Sequence, residues 1–348
     1  MEKKYNKYSR RFFVGEGRGL IMIGSVVFAA NTGLGILAKS FYDNGLVDKV
    51  LLYDHPTYGT LEGWYKEEDV YTDAVSFLDN IDILFLFEVA SLENPKDWSI
   101  AVAAKEKGIK VVLMPMYEST SYATLKYYGG DPDAWVFPSK LDEEVYTKSN
   151  EVGEFIPVPV DVKWRLRKKA RVFVHNAGSS NSQLWDRNGT SLLINALPYI
   201  ESPIKLIFRS RDTSWDIEDD RVEFRLGDAD YDSMWDEGDA FIFPEAYNGL
   251  CLPLQEAFAA GMLVIAGDRF PVNTWLPQEP LLPVEKYNKT RNDWQELTLC
   301  RYNYIQLAAL IDSWYDKDIE SFSRRGLEWA QENSWDKLKP AYERVLND

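Results

Sequence analysis

The stretch "FPEAYNGLCLPLQEAFAAGMLVIAGD", Phe243–Asp268, sets one carboxylate, Glu256, near its middle, just after a turn and a proline. A carboxylate on the opening turn of a helix is favoured by the helix dipole. Its two oxygens can accept hydrogen bonds from two vicinal hydroxyls, the pattern a ribose presents. Asn248, Gly249 and Leu250 form the turn, where a glycine lets backbone N–H groups approach phosphates, and Pro253 suits a first helical turn. A buried strand, a turn and a packing helix would use the same residues.

A second group lies upstream in "HNAGSSNSQLWDRNGTSLLINAL", His175–Leu197. Arg187 stands just before a helix start, and a guanidinium there supplies charge and paired donors for a diphosphate. Capping a surface loop is its other use. The third group, "NTGLG" at Asn31–Gly35, follows a strand and opens a helix, so Gly33 and Gly35 suit either a phosphate contact or a tight strand–helix turn. Glu88 ends "DILFLFE" and Glu118 ends "VVLMPMYE". Ligands gather beyond the carboxyl ends of parallel strands, so both carboxylates are candidates to contact an acceptor or receive its proton. Either would also serve as a helix cap or loop partner. His55 reads as a satisfied structural histidine, while His175, at its strand's carboxyl edge, is expected to face a ligand cleft.

These residues need elements to hold them. Short apolar runs bounded by Gly, Pro, Asp or Asn alternate with amphipathic stretches, the pattern of a parallel α/β sheet. In the first half the runs are "GLIMIGSVVFAA", "KVLLYD", "DILFLFE", "KVVLMPM" and "AWVFP". The helix over "DWSIAVAAKEKG" ends at Gly108, a residue suited to the position after a helix. "IPVPVDVKW", Ile156–Trp164, interrupts the rhythm with two prolines and reads as a stiff crossing between domains. The alternation then restarts with "RVFVHNA", "KLIFRS", "VEFRLG", "DAFIFPE", "LVIAGD" and "LLPV". Helices are expected at Gly189–Ile200, Pro253–Gly261 and Tyr304–Tyr315, with a helical final third closing in "SWDKLKPAYERVL". The expected domains are 1–160, 161–332, and a terminal helix over 333–348 that returns to the first.

Composition narrows the function. A chain of 348 residues with 45% hydrophobic and 27% charged side chains supports two ordinary cores. A net charge of −16 argues against general nucleic-acid binding, which needs clustered cations. The basic runs Lys3–Arg11 and Lys163–Arg171 read as a tail and a solvated linker face. Two cysteines and two histidines leave no disulfide framework or His/Cys metal centre. With no signal-peptide core and no apolar run near the roughly 20 residues of a membrane span, a cytoplasmic protein is expected.

The motifs together resemble the donor-site signature of GT-B glycosyltransferases, family 4 in particular. Pro244, Gly249, Leu252, Pro253, Glu256, Ala257, Ala259 and Gly261 stand in matching places. "DRNGTSLLINAL" is similar to that family's basic helix start and "NTGLG" to its first glycine-rich loop. The resemblance implies two Rossmann-like doubly wound domains facing each other across a cleft. It also implies transfer of a sugar from a nucleoside diphosphate-sugar to a hydroxyl with retention of configuration. No metal or further cofactor is expected, since Arg187, a helix N-terminus and backbone N–H groups can meet the developing phosphate charge. It departs at Asn248, where the family carries the first of two acids; Asn248 can orient a donor sugar but supplies no charge. The family's first arginine has no counterpart, and Arg209 or Arg211 would compensate. The acceptor stays open among saccharide, lipid, protein and modified DNA base. One alternative is glycosylation of a hydroxymethylated base in phage DNA, suggested by "YNGLCLPLQEA" and "PVNTWLP". Another is a nucleotide-sugar-binding protein without turnover.

Overall fold

Strands whose every residue is apolar can only sit inside a sheet covered on both faces. The computed structural model, which describes residues 21–54, 59–88, 95–120, 122–231, 233–291 and 296–348, places them so. Seven strands make one sheet: β1 (Ile23–Phe28), β2 (Lys49–Tyr53), β3 (Val70–Tyr71), β4 (Ile83–Phe87), β5 (Lys110–Met114), β6 (Ala134–Phe137) and β7 (Gly153–Phe155). Their order is β3-β2-β1-β4-β5-β6-β7. Five more make a second sheet: β8 (Val172–Gly178), β9 (Lys205–Ser210), β10 (Val222–Leu226), β11 (Ala240–Phe243) and β12 (Leu263–Ala266), in the order β10-β9-β8-β11-β12. The strand order reverses beside β1 in one sheet and beside β8 in the other. Loops beyond the carboxyl ends on either side of such a reversal diverge and leave a crevice.

The second sheet carries a core on each face. Phe173, Leu206, Phe208, Ile242 and Ile265 pack with Leu193, Leu307 and Ile311 on one side. Their chain neighbours Val174, Ile207, Phe241, Phe243 and Val264 pack with Leu254 and Phe258 on the other. The period-2 alternation of the strands thus divides between two helical layers.

Several expected elements differ in detail. The helix expected at Gly189–Ile200 is Thr190–Ala196 followed by a short turn, and those expected at Pro253–Gly261 and Tyr304–Tyr315 are Leu252–Ala259 and Tyr304–Trp314. "LLPV" forms no strand, only an isolated bridge from Leu282 to Gly267. The final third is not all helical: β13 (Lys286–Arg291) and β14 (Glu296–Arg301) pair as an antiparallel hairpin. Polar "KYNKTR" hides that strand from an apolar-run reading. Gly108 does end its helix in the left-handed region, at φ 75°. His55 and the run Lys3–Arg11 lie outside the described residues.

The chain divides into two compact units. One is Met1–Phe87, Lys96–Val112 and Tyr128–Asp133; the other is Glu88–Pro95, Leu113–Tyr127 and Ala134–Asp348. The terminal helix Trp335–Asn347 is anchored within the second unit, where the buried Tyr342 hydroxyl lies 3.2 and 3.0 Å from the carbonyls of Ile156 and Pro157. Among the described residues, no helix is long and apolar enough to cross a membrane.

The basic run at Lys163–Arg171 is not wholly a solvated face. Arg167 is only 2% exposed, and its guanidinium donates to the carbonyls of Gly238 (2.7 Å), Trp235 (2.5 Å), Arg165 (3.1 Å) and Ala260. Burial, with Arg165 nearby, lowers its pKa to about 10. It ties the end of the helix Leu252–Ala259 to the segment before β11. Replacing it with methionine strands those carbonyls in a dry interior, a cost of about 3 kcal/mol or more. Urea unfolding of Arg167→Met should show that loss, and a change below about 1 kcal/mol would remove the clamp from the account.

Candidate functional site

The second sheet reverses between β8 and β11, and the loops that follow these two strands carry Arg187, Asn248, Gly249 and Leu250. Beyond β11 the chain turns at Pro244 and buries Glu245 completely. Arg269, three residues past β12, meets it with Nη2 at 2.6 Å from Oε1. The same Nη2 donates to the Asn248 carbonyl (2.8 Å), and Nη1 donates to that of Phe270 (3.0 Å). Burial pushes the Glu245 carboxyl up, and the charge of Arg269 pulls it back toward ionisation. From the hairpin side, the Tyr302 hydroxyl donates to the Glu245 carbonyl (3.0 Å) and the Cys300 N–H to that of Ala246 (2.7 Å). Asn248 Oδ1 accepts from the Cys251 N–H at 3.0 Å, which holds Cys251 in the left-handed region at φ 47°. The turn "NGLC" is therefore pinned from three sides. Neither Glu245 nor Arg269 was singled out in the sequence. Their signal was positional, an acid and a base each just past the end of adjacent buried runs.

Within β8, His175 does not face a cleft. It is fully buried, with Nδ1 2.8 Å from the Ile242 carbonyl and Nε2 2.9 Å from the Thr190 hydroxyl. A carbonyl can only accept, so Nδ1 carries the proton and Nε2 accepts from Thr190. Burial lowers its pKa to about 4, and the neutral ring serves as a strut between β8, β11 and the next helix. That helix start is not open to an anion either. Asp186 Oδ1 and Oδ2 already accept from the N–H groups of Ser191 (2.7 Å) and Leu192 (3.1 Å). Gly189 (φ 72°) is required here, because a Cβ would lie 2.5 Å from the Pro244 carbonyl oxygen. The Ala246 N–H donates to the Arg187 carbonyl at 2.8 Å, so the two loops are stitched together.

Arg187 projects from this seam, its guanidinium 5.3 Å from the centre of the Tyr247 ring. Nη2 donates to Glu118 Oε1 at 3.3 Å, and the Gly249 N–H reaches the same oxygen at 3.5 Å. A Cβ on Gly249 would stand 3.3 Å from Glu118 Oε2 and from Ser139 Oγ, and 3.5 Å from Asp142 Oδ2. Asp142 is fully buried and raised to about 8 by burial and the neighbouring Glu118 charge. The Ser139 hydroxyl and the Tyr117 N–H (2.8 Å) donate to it and oppose that rise. Glu88, in the left-handed region at φ 56°, is raised to about 7 by burial, with Glu118 adding to the rise and Ser119 and Arg187 opposing it. Glu88 and Glu118 thus share the surroundings of the Arg187 guanidinium, and Asp142 feels the charge of Glu118. Asp142 went unremarked in the sequence because Ser139-x-x-Asp142 also reads as an ordinary helix cap, a role it fills. A cavity of about 770 Å³ opens on Ser139, Lys140, Phe155, Gly249, Leu250 and Trp275, a volume in the range of small-molecule sites.

Glu256 lies in the second turn of its helix, not the first, being the fifth residue of Leu252–Ala259. The dipole therefore does little for it. It is 7% exposed, accepts a hydrogen bond from the Tyr231 hydroxyl, and is raised to about 7 by burial. Arg209 donates to the Met234 carbonyl (3.0 Å) and to Glu237 Oε2 (3.2 Å), while Asn176 Nδ2 lies 3.5 Å from Met234 Sδ. Arg211 pairs with Asp228 at 2.6 Å. The structure thus gathers Glu118, Glu88, Arg187, Asn248, Gly249 and Leu250 around one turn, and engages Glu256 and Arg209 with the segment that carries Tyr231, Met234 and Glu237. Gly33 and Gly35 belong to the other compact unit. The Gly35 N–H donates to Thr32 Oγ1 (3.1 Å), and a Cβ there would lie 2.1 Å from the Ala30 carbonyl oxygen. Close packing of helix on strand thus accounts for that glycine. Gly33 has open space where a Cβ would stand.

No family model matches the chain, and no curated protein matches it in sequence. Solved structures do. Over 94% of its length the chain is similar to Anabaena HepE in complex with UDP and glucose, with TM-score 0.65, 10% identity and 99% of that chain covered. Sucrose-phosphate synthase from Thermosynechococcus elongatus gives TM-score 0.60 at 13% identity, covering 94% of this chain and 98% of that one. Trehalose-6-phosphate synthase OtsA gives 0.61 at 10%, covering 94% and 99%. These are GT-B glycosyltransferases, and the chain shares their fold of two parallel-sheet α/β halves.

The environment of Glu256 predicts a pH signature. Its folded-state value near 7 lies above the ordinary 4.5. The protonated form therefore contributes stability in full below about pH 4.5, and that contribution is lost as the pH rises through 7. The loss amounts to about 3 kcal/mol at most. Glu256→Gln keeps the neutral shape, so its stability relative to wild type should climb between pH 5 and 8 in urea titrations. Parallel profiles for the two proteins would show that Glu256 is ionised throughout.

Proposed function

We propose that the chain is a glycosyltransferase that moves a sugar from a nucleoside diphosphate-sugar to a hydroxyl acceptor with retention of configuration. One observation carries this reading. At the reversal point of the second sheet, the Arg187 guanidinium and the Gly249 N–H converge on a single anionic oxygen, that of Glu118. Two donors aimed at one anion, set beyond the carboxyl ends of β8 and β11, form the arrangement a diphosphate needs. The shared fold supports the reading, and HepE bound to UDP and glucose makes UDP-sugars the first donors to test.

In this reading Arg187 and the Gly249–Leu250 backbone meet the diphosphate, and they offset the negative charge that grows there as the bond to the anomeric carbon breaks. Glu256 exchanges the Tyr231 hydroxyl for the ribose diol. Arg209, held by Glu237, borders the nucleoside, and Asn248 orients the sugar. The acceptor oxygen bonds to the anomeric carbon as its proton leaves. Glu88, raised to about 7, has the proton affinity of a group that exchanges protons near neutrality, and with Glu118 it forms the acceptor side. Retention follows from the family resemblance. Segment 1–160 serves the acceptor and 161–332 the donor.

A thermal-shift panel of UDP, GDP and ADP tests the donor reading, since a ligand at 100 times its Kd adds about 2.7 kcal/mol to stability. One diphosphate should raise the Tm, and hydrolysis of the matching sugar nucleotide should follow without added acceptor. Arg187→Ala should weaken that diphosphate far more than the bare nucleoside. Glu256→Ala should weaken both, by about one to three kcal/mol for the lost charged hydrogen bond. No stabilisation by any diphosphate, or equal losses for diphosphate and nucleoside in Arg187→Ala, would contradict the assignment.

A further inference from the structure

Glu118 is part of this picture in a way that neither the fold nor the donor motif requires. Its side chain is 9% exposed, against 33% for that of Arg187, and its Oε1 takes both donors assigned above to the diphosphate. The contacts, 3.3 Å to Arg187 and 3.5 Å to Gly249, are longer than the roughly 2.8 Å of a strong charge-assisted bond. The carboxylate occupies the position without filling it well. Ser139 and Asp142 stand beside the same glycine. A phosphate oxygen that reaches Arg187 and Gly249 must take the place Glu118 Oε1 now holds, because two like charges cannot share it.

We propose that Glu118 is a built-in occupant of the diphosphate position, which the donor displaces on binding and which returns to Arg187 when the nucleoside diphosphate leaves. The proposal rests on the donor reading given above and adds to it a reason for product release. A carboxylate that competes for the same two donors lowers the affinity of every ligand bearing phosphate there. A bare nucleoside, which leaves the Glu118–Arg187 pair alone, feels no such competition. After transfer, the returning carboxylate restores the charge balance of Arg187 without waiting for a new donor.

Calorimetry with UDP and with uridine, on wild type and Glu118→Gln, tests this; GDP or ADP with its nucleoside replaces them if the panel selects one. The amide keeps the size of the side chain and removes its charge. UDP should bind Glu118→Gln more tightly, on the order of tenfold once like-charge competition is gone, with uridine unchanged. Steady-state transfer by the variant should show correspondingly stronger inhibition by UDP. Unchanged or weaker UDP binding, or an equal gain for uridine, overturns the proposal. A crystal structure of the wild-type protein with UDP gives an answer independent of any variant. A phosphate oxygen should stand on Arg187 and Gly249 with Glu118 moved away, and a bound phosphate beside an intact Glu118–Arg187 pair overturns the proposal. If the wild type binds no nucleoside diphosphate at all, the donor reading itself fails, and this inference falls with it. Tight UDP binding by wild type with no gain in the variant would instead spare the donor reading and remove only the role of Glu118.

Discussion

The buried ion pair between Glu245 and Arg269 is the constraint on which the rest of the site depends. Taking two charges out of water is costly, and here their mutual attraction and further hydrogen bonds offset part of that cost, although Glu245 Oε2 and Arg269 Nε make none. Arg269 shares its donors among the Glu245 carboxylate and the carbonyls of Asn248 and Phe270. That draws the loop after β11 against the loop after β12. The hairpin closes the third side through Tyr302 and Cys300. Gly249 owes its position to this bracing, and so does its N–H.

A second consequence is that the residues able to hold a ligand are already occupied from within. Arg187 faces Glu118, Glu256 accepts from Tyr231, and Arg209 is held by Met234 and Glu237. Buried polar groups left unmet cost a folded protein stability. Internal partners remove that cost, and any ligand then has to exchange one set of hydrogen bonds for another.

The histidine illustrates how chemistry-bearing residue types mislead. His175 stands near the end of β8, ahead of the loop that carries Arg187, and its type invites a proton-transfer role. Its two nitrogens are committed to Ile242 and Thr190 in a dry interior, which holds it neutral. Arg167 shows the converse: a member of a basic run that looks solvated is instead among the most buried large side chains of the chain.

What the sequence determined by itself was governed by near neighbours along the chain. Apolar runs such as "DILFLFE" and "DAFIFPE" had to be interior strands, Gly108 and Pro253 punctuated helices, and the spacing from Gly249 to Gly261 carried the donor-site likeness. Periodicity and backbone preference act over a few residues, so they are legible without a fold. The tertiary structure alone decided which charges meet. Glu245 and Arg269 lie 24 positions apart, Glu118 and Arg187 lie 69 apart, and Glu118 and Gly249 lie 131 apart. It also decided that the Asp186 carboxylate takes the helix N–H groups that a phosphate would otherwise find. The physical reason is that electrostatic energy depends on distance and burial in space, and neither is written in the spacing of residues until the sheets bring the strand ends together.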